Sequence, residues 1–126
     1  MSFSNTYETN VLTWTFTSSA VTRPTAWYVA LFTTDPGETG AGTELSGNGY
    51  VRQAATFTIS GDLATNSAAI EFPVATSNLG TITHIAVVDA STGGDQMAYA
   101  ALTVAKAIDT GEILRIPAGD LDITLN

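Results

Sequence analysis

Runs of β-branched and aromatic residues, each roughly five to ten residues long, recur along the chain from residue 26 onward, and turn-forming clusters separate them. "AWYVALFTT" (26–34) is the first, and Asp35-Pro36-Gly37 follows it. There Pro presets φ and Gly accepts φ > 0, so a turn is expected. "YVRQAATFTIS" (50–60) reads as one strand, "GDLATN" (61–66) as a turn, and "SAAIEFP" (67–73) as a short strand. "GTITHIAVVDA" (80–90), the turn "STGGD" (91–95) and "QMAYAALTVAK" (96–106) come next. "DTG" precedes "EILRIPAG" (112–119), and the chain closes on the alternating "DLDITLN". Roughly seven or eight strands at this spacing, with no long crossover helix between them, exclude a parallel α/β sheet. The expected fold is all-β, an antiparallel, jelly-roll-like β-sandwich that takes residues 1–126 as one domain, with residues 1–20 as a leader helix or arm.

The leader "SNTYETNVLTWTFTS" (4–18) carries two patterns. Tyr7, Val11 and Trp14 fall at helical spacing, and Asn5 with Glu8 has the form of an N-cap and its reciprocal partner. Leu12, Trp14 and Phe16 alternate as in a strand, and the interspersed Thr residues are poor helix formers. The capping pattern favours a short amphipathic helix. "GETGAGTELSGNG" (37–49) has no period and reads as loop.

Composition narrows function. Charged residues make up only 13% of the 126, and the net charge is −8, with Arg23, Arg52, Lys106 and Arg115 the only cations. Four scattered cations cannot neutralise a nucleic-acid backbone or hold an anionic membrane surface, so neither is an expected partner. With no Cys there is no disulfide framework, thiol nucleophile or Cys-bound zinc. The first residues lack the basic start of a signal peptide, and no apolar stretch is long enough to span a membrane.

A search for chemistry yields little. "GAG" in "ETGAGTEL" is not a phosphate cradle: Leu45 stands where a third Gly is needed, and Glu38 and Glu44 repel phosphate. Asp35, Glu38 and Glu44 could offer oxygen ligands to calcium, but their spacing matches no dedicated loop. The single histidine, His84, shares a strand face with Ile82, Ala86 and Val88, which suits a packed or interface imidazole better than a catalytic base. At a subunit contact it would confer acid sensitivity. Asp120 and Asp122 alternate against Leu121, Ile123 and Leu125 as ordinary strand patterning, and Glu71 flanks Phe72 in the same way. Trp27, Tyr28, Phe32, Phe57, Phe72 and Tyr99 read as core. No catalytic residue, metal site or cofactor is expected. A surface poor in Lys and rich in Thr, Ala and Gly instead fits a protein whose faces are covered by neighbours.

The segments "WYVALFTTDPGETGAGTELSGNGYVRQAATF", "NSAAIEFPVAT", "LGTITHIAVVDASTGGDQMAYAALT" and "GEILRIPAGDLDITL" resemble a family of small tailed-bacteriophage virion proteins, labelled tail-fibre or head decoration proteins. The resemblance covers nearly the whole chain, although its Thr-rich leader departs from the clearer helix of other members. It implies a virion structural role on the outside of the particle and brings no catalytic residues. On it rests the expectation of a homo-oligomer, a trimer, that cements the capsid by binding the major capsid protein, with a tail or tail-fibre component as the alternative. That alternative would contact host glycans through Trp27 or an exposed Tyr50. A hydrolase using Asp35, Glu38 or Glu71 is the third class. The candidate interface residues are Tyr7, Trp14, Asp35, Glu38, Glu44, Tyr50 and His84.

Overall fold

The two most continuously apolar runs of the sequence pair with each other at the centre of the molecule. The computed structural model describes residues 1–125. In chain order its elements are β1 (Ser2–Phe3), α1 (Asn5–Phe16), β2 (Tyr28–Phe32), β3 (Gln53–Ala54), β4 (Phe57–Ser60), β5 (Leu63–Asn66), β6 (Ile70–Glu71), β7 (Gly80–Val88), β8 (Gln96–Ile108), β9 (Arg115–Ile116) and β10 (Asp122–Thr124). A five-stranded sheet has the order β1-β8-β7-β2-β3, a three-stranded sheet the order β10-β5-β4, and β6 pairs with β9. Every pairing is antiparallel. The architecture is an all-β sandwich with one short helix.

β2 and the second half of β7, residues 85–88, are buried on both faces, which explains why they read as unbroken apolar runs rather than alternating ones. Their register sets Tyr28 opposite Val88 and Phe32 opposite His84. Val29, Leu31, Ile85 and Val87 therefore point to the larger core, which Ile70, Phe72, Leu114 and Leu121 close from the smaller sheets. Ala30, Phe32, Ala86 and Val88 point the other way, between Tyr28 and Tyr99.

Ile82 does not share the face of His84, Ala86 and Val88. Ile82 pairs with Lys106 and His84 with Ala101, so residues 102–105 of β8 stand opposite Thr83 alone. This bulge turns β7 over, and Ile82, fully buried, joins the larger core with Ile85 and Val87.

Two other expectations are corrected. Residues 50–60 do not form one strand: Gln53–Ala54 pairs in the large sheet and Phe57–Ser60 in the three-stranded one, the chain crossing between layers at Ala55 and Thr56. "GDLATN" is not a turn as a whole. Only Gly61 and Asp62 turn, Gly61 at φ 62°, and Leu63–Asn66 is β5. Asn66 closes that strand from within the core. Its amide donates to the carbonyls of Ala68 and Pro117 and accepts from the Leu121 N–H, all at 2.9 Å.

The leader does form a helix over Asn5–Phe16, but Ser4 rather than Asn5 caps it, its Oγ accepting from the Tyr7 N–H at 3.3 Å. It is not amphipathic in the ordinary one-sided sense. It has no buried residue, and Leu12, Trp14 and Phe16 are all exposed. No helix among the described residues is long and apolar enough to cross a membrane.

Candidate functional site

The loop after β2 leaves beside His84 and the turn after β7 leaves beside Tyr28, at opposite ends of this antiparallel pair. The two meet because the loop folds back to the turn's end of the large sheet. Phe32 bridges Glu44, which returns the loop along the edge of β2. Loop compactness depends on glycine at Gly42, where a Cβ would lie 2.7 Å from Pro36 Cα. The opposing turn depends on Gly94, at φ 74°, where a Cβ would meet Asp89 Oδ1 at 2.5 Å.

Arg52 ties loop and turn together. Its Nε and Nη2 donate to the two Glu44 carboxylate oxygens at 2.8 and 2.7 Å, a bidentate fork. Its Nη1 donates to the carbonyls of Ala90 and Gly93, both at 2.8 Å. Tyr50 completes the group by donating to Glu44 Oε2 at 2.7 Å and accepting from the Leu31 N–H at 3.1 Å, while its ring stacks on Phe72. Burial pushes the Glu44 carboxyl up, but the hydrogen bonds from Arg52 and Tyr50 outweigh it and hold Glu44 below the usual carboxylate range. Burial, then the bond to Glu44, pushes the Tyr50 phenol well above its ordinary value. Glu44 and Tyr50 thus turn inward, and Tyr50 does not offer the exposed ring that a glycan contact requires.

The same end anchors the helix. The Ser4 hydroxyl donates to the Gln96 carbonyl, the Asn5 N–H to the Glu38 carbonyl at 3.1 Å, and the Gln96 amide to the Gly37 carbonyl at 2.7 Å. Tyr7 donates its hydroxyl to Asp89 Oδ2 at 3.2 Å. Burial, then the Asp89 charge, pushes the Tyr7 phenol up to about 12.

On the outer face of the large sheet, Asp35 and His84 come together, their closest side-chain atoms 3.8 Å apart, and Thr83 Oγ1 lies 2.9 Å from His84 Nδ1. Asp35 and Glu38 stand close enough to Tyr99 to add, behind desolvation, to the upward shift of its phenol. At 3.8 Å the carboxylate does not hydrogen-bond the imidazole, so the grouping lacks the held base of a nucleophilic triad. Asp35 instead accepts from the Gly37 N–H at 2.8 Å, closing the expected turn. Asp35, Glu38 and Glu44 do not converge, and among the described residues no three His, Asp or Glu side chains are grouped as metal ligands. Trp14 lies apart from both clusters, on α1.

The seven sequence-named residues therefore divide into an inward clamp (Glu44, Tyr50), an outer acidic face (Asp35, Glu38, His84) and the helix (Tyr7, Trp14). Sequence reasoning missed Arg52, Asp89, Gln96 and Ser4. One signal was available for Arg52: a lone cation eight positions beyond Glu44 in an acid-rich loop.

The Glu44, Arg52, Tyr50 and Asp35 side chains are engaged in holding loops together. A profile of the family described as "Podophage GP4 fiber I protein gp80" matches residues 2–124. The chain belongs to this family and is a structural protein of a tailed-phage virion. A comparison with curated proteins finds no match.

Proposed function

We propose that the protein is a non-enzymatic building piece of a phage tail fibre, on the outer surface of the particle, that works as a homo-oligomer, a trimer, in contact with other tail proteins. The observation that carries this is the family match over residues 2–124, whose description names a fibre. It favours the tail over the capsid-cement role that the sequence alone placed first. The geometry supports mechanical work: Glu44, Arg52 and Tyr50 make a rigid loop end, and three large apolar side chains of α1 are left for neighbours. Host attachment through a sugar is not favoured, because Tyr50 is engaged and Trp27 borders a groove lined mainly by apolar side chains. Contact with polypeptide fits such a lining better.

Cryo-electron microscopy of intact particles, with copy number from quantitative mass spectrometry, tests the assignment. Density on the tail at a handful of copies is the expected result. Density over the shell at hundreds of copies would overturn it.

A further inference from the structure

Helix α1 is 12 residues long, contains Thr6, Thr9, Thr13 and Thr15, and buries no side chain. Helices of this length are marginal in water even with better formers, and most take their stability from a packed face. At about 100° per residue, Tyr7, Val11 and Trp14 form one apolar stripe, while Leu12 and Phe16, one turn apart, form a second on the opposite side. The first stripe faces the chain itself through Tyr7 and Val11, across a cavity of ≈ 380 Å³ against Val21 and Pro24, with Trp14 at its rim 71% exposed. The second faces outward, with Leu12 59% and Phe16 77% exposed. A helix apolar on two opposite sides is suited to lie between two surfaces, and this chain supplies only one.

A matching surface lies on the same chain, beside the inner stripe of the helix. The register of β4, β5 and β10 sets Ile59, Ala64 and Ile123 in one row. With Trp27, Phe57 and Met97, and with Tyr7 and Val11 from the inner stripe of α1, they line a second cavity of ≈ 360 Å³. No Asp, Glu, Lys or Arg lines it. The helix is similarly free of charge beyond Glu8: residues 9–34 contain no acid and a single cation, Arg23, in a chain of twelve acids.

That distribution names the occupant. A basic partner would be drawn to the outer face of Asp35, Glu38 and Glu8. A second copy, bearing the same net charge of −8, can approach closely only where acids are missing. Area agrees: an aromatic side chain buries about 150–250 Å². The exposed parts of Phe16 and Leu12, set against Trp27 and the isoleucine row, thus supply on the order of a third of the roughly 800 Å² per partner of a stable contact, which the flanking helix face must complete. We propose that the Leu12–Phe16 stripe of one copy seats in the groove beside Trp27, Ile59 and Ile123 of the next, head to tail, so that copies close into a ring. This rests on the homo-oligomer reading above and specifies its interface.

The test uses the full-length chain in sedimentation velocity, with near-UV circular dichroism to confirm folding. Phe16→Glu, Ile59→Glu and Leu12→Glu are each expected to weaken self-association at least 100-fold and leave monomers. Val104→Glu, on an equally exposed side chain outside both surfaces, is expected to change nothing. An equimolar mixture of Phe16→Glu and Ile59→Glu should form a one-to-one dimer, because one stripe and one groove remain intact between them. Trp27→Ala, on a partly exposed side chain of the groove, serves in place of Ile59→Glu if the latter disturbs its sheet. A monomeric wild type, variants that keep the wild-type mass, dissociation by Val104→Glu, or a mixture that stays monomeric would overturn the interface. None of these results bears on whether the protein sits on the tail, which virion imaging decides separately.

Discussion

Two regions of this protein solve the same problem in opposite ways. At the loop end of the large sheet the charged groups that burial would penalise are paired within the chain: Arg52 uses its fork on Glu44 and its remaining nitrogen on two carbonyls. Among the described residues there, only Gln96 Oε1 is buried without a partner. At the helix, a short element with poor propensity exposes Leu12, Trp14 and Phe16 and is held mainly by its first turn, through Ser4, Asn5 and Tyr7. The contrast teaches where to look for function in a protein of this kind. Polar side chains that seem to offer chemistry are consumed in making the loop cluster rigid, and the large apolar side chains left exposed lie on the helix beyond its anchored first turn and on β4.

The contrast can be broken first at its polar hubs. Replacing Asn66 by Ala strands the Leu121 N–H and the carbonyls of Ala68 and Pro117, so urea unfolding should show a loss of about 3 kcal/mol or more. Arg52→Ala should cost less, about 2 kcal/mol, between the values for buried and exposed ion pairs, because the Glu44 side chain keeps some access to water. Its hydrogen exchange should quicken at residues 44–52 and 89–95 but not in β7.

Two pH responses follow. The Glu44 carboxyl is depressed in the fold, so its contribution is fully present above the unfolded value of about 4.3 and is lost as pH falls through the lower folded value. The stability gap between wild type and Glu44→Gln should therefore stay constant from neutral pH down to about 4.3 and close between there and the lower folded value. The Tyr7 phenol is raised to about 12, so its contribution holds below about 10, the unfolded value, and is lost as pH rises from there through the folded one. Tyr7→Phe should flatten the upper part of the alkaline stability curve. The smallest effect belongs to the helix: Leu12→Ser should leave unfolding of the dilute chain within about 0.5 kcal/mol of wild type.

The strand pattern of the fold was legible because β2 and β7 carry dense β-branched and apolar runs, and Asp35-Pro36-Gly37 announces its own turn. Three features were not. "GDLATN" looks like a turn because Asn ends it, yet Asn66 is a buried hydrogen-bonding hub, and burial of a polar residue depends on partners distant in sequence. The bulge opposite Thr83 leaves no local mark, since it depends on three extra residues in the paired strand. The crossing at Ala55 and Thr56 is invisible because both halves have strand character. Of the candidate surface, the right residue types were legible and their grouping was not: Glu44 and Glu38 stand in one loop, yet one turns inward to Arg52 while the other borders Tyr99.

Hydrogen exchange of the native chain across a dilution series probes most directly the division between a self-sufficient end and an end completed by neighbours. Amides of residues 8–16 and those flanking Ile59 and Ile123 should become protected as concentration rises, while β2 and β7 stay equally slow throughout. Exchange in the helix that ignores concentration, whether uniformly fast or uniformly slow, would contradict it.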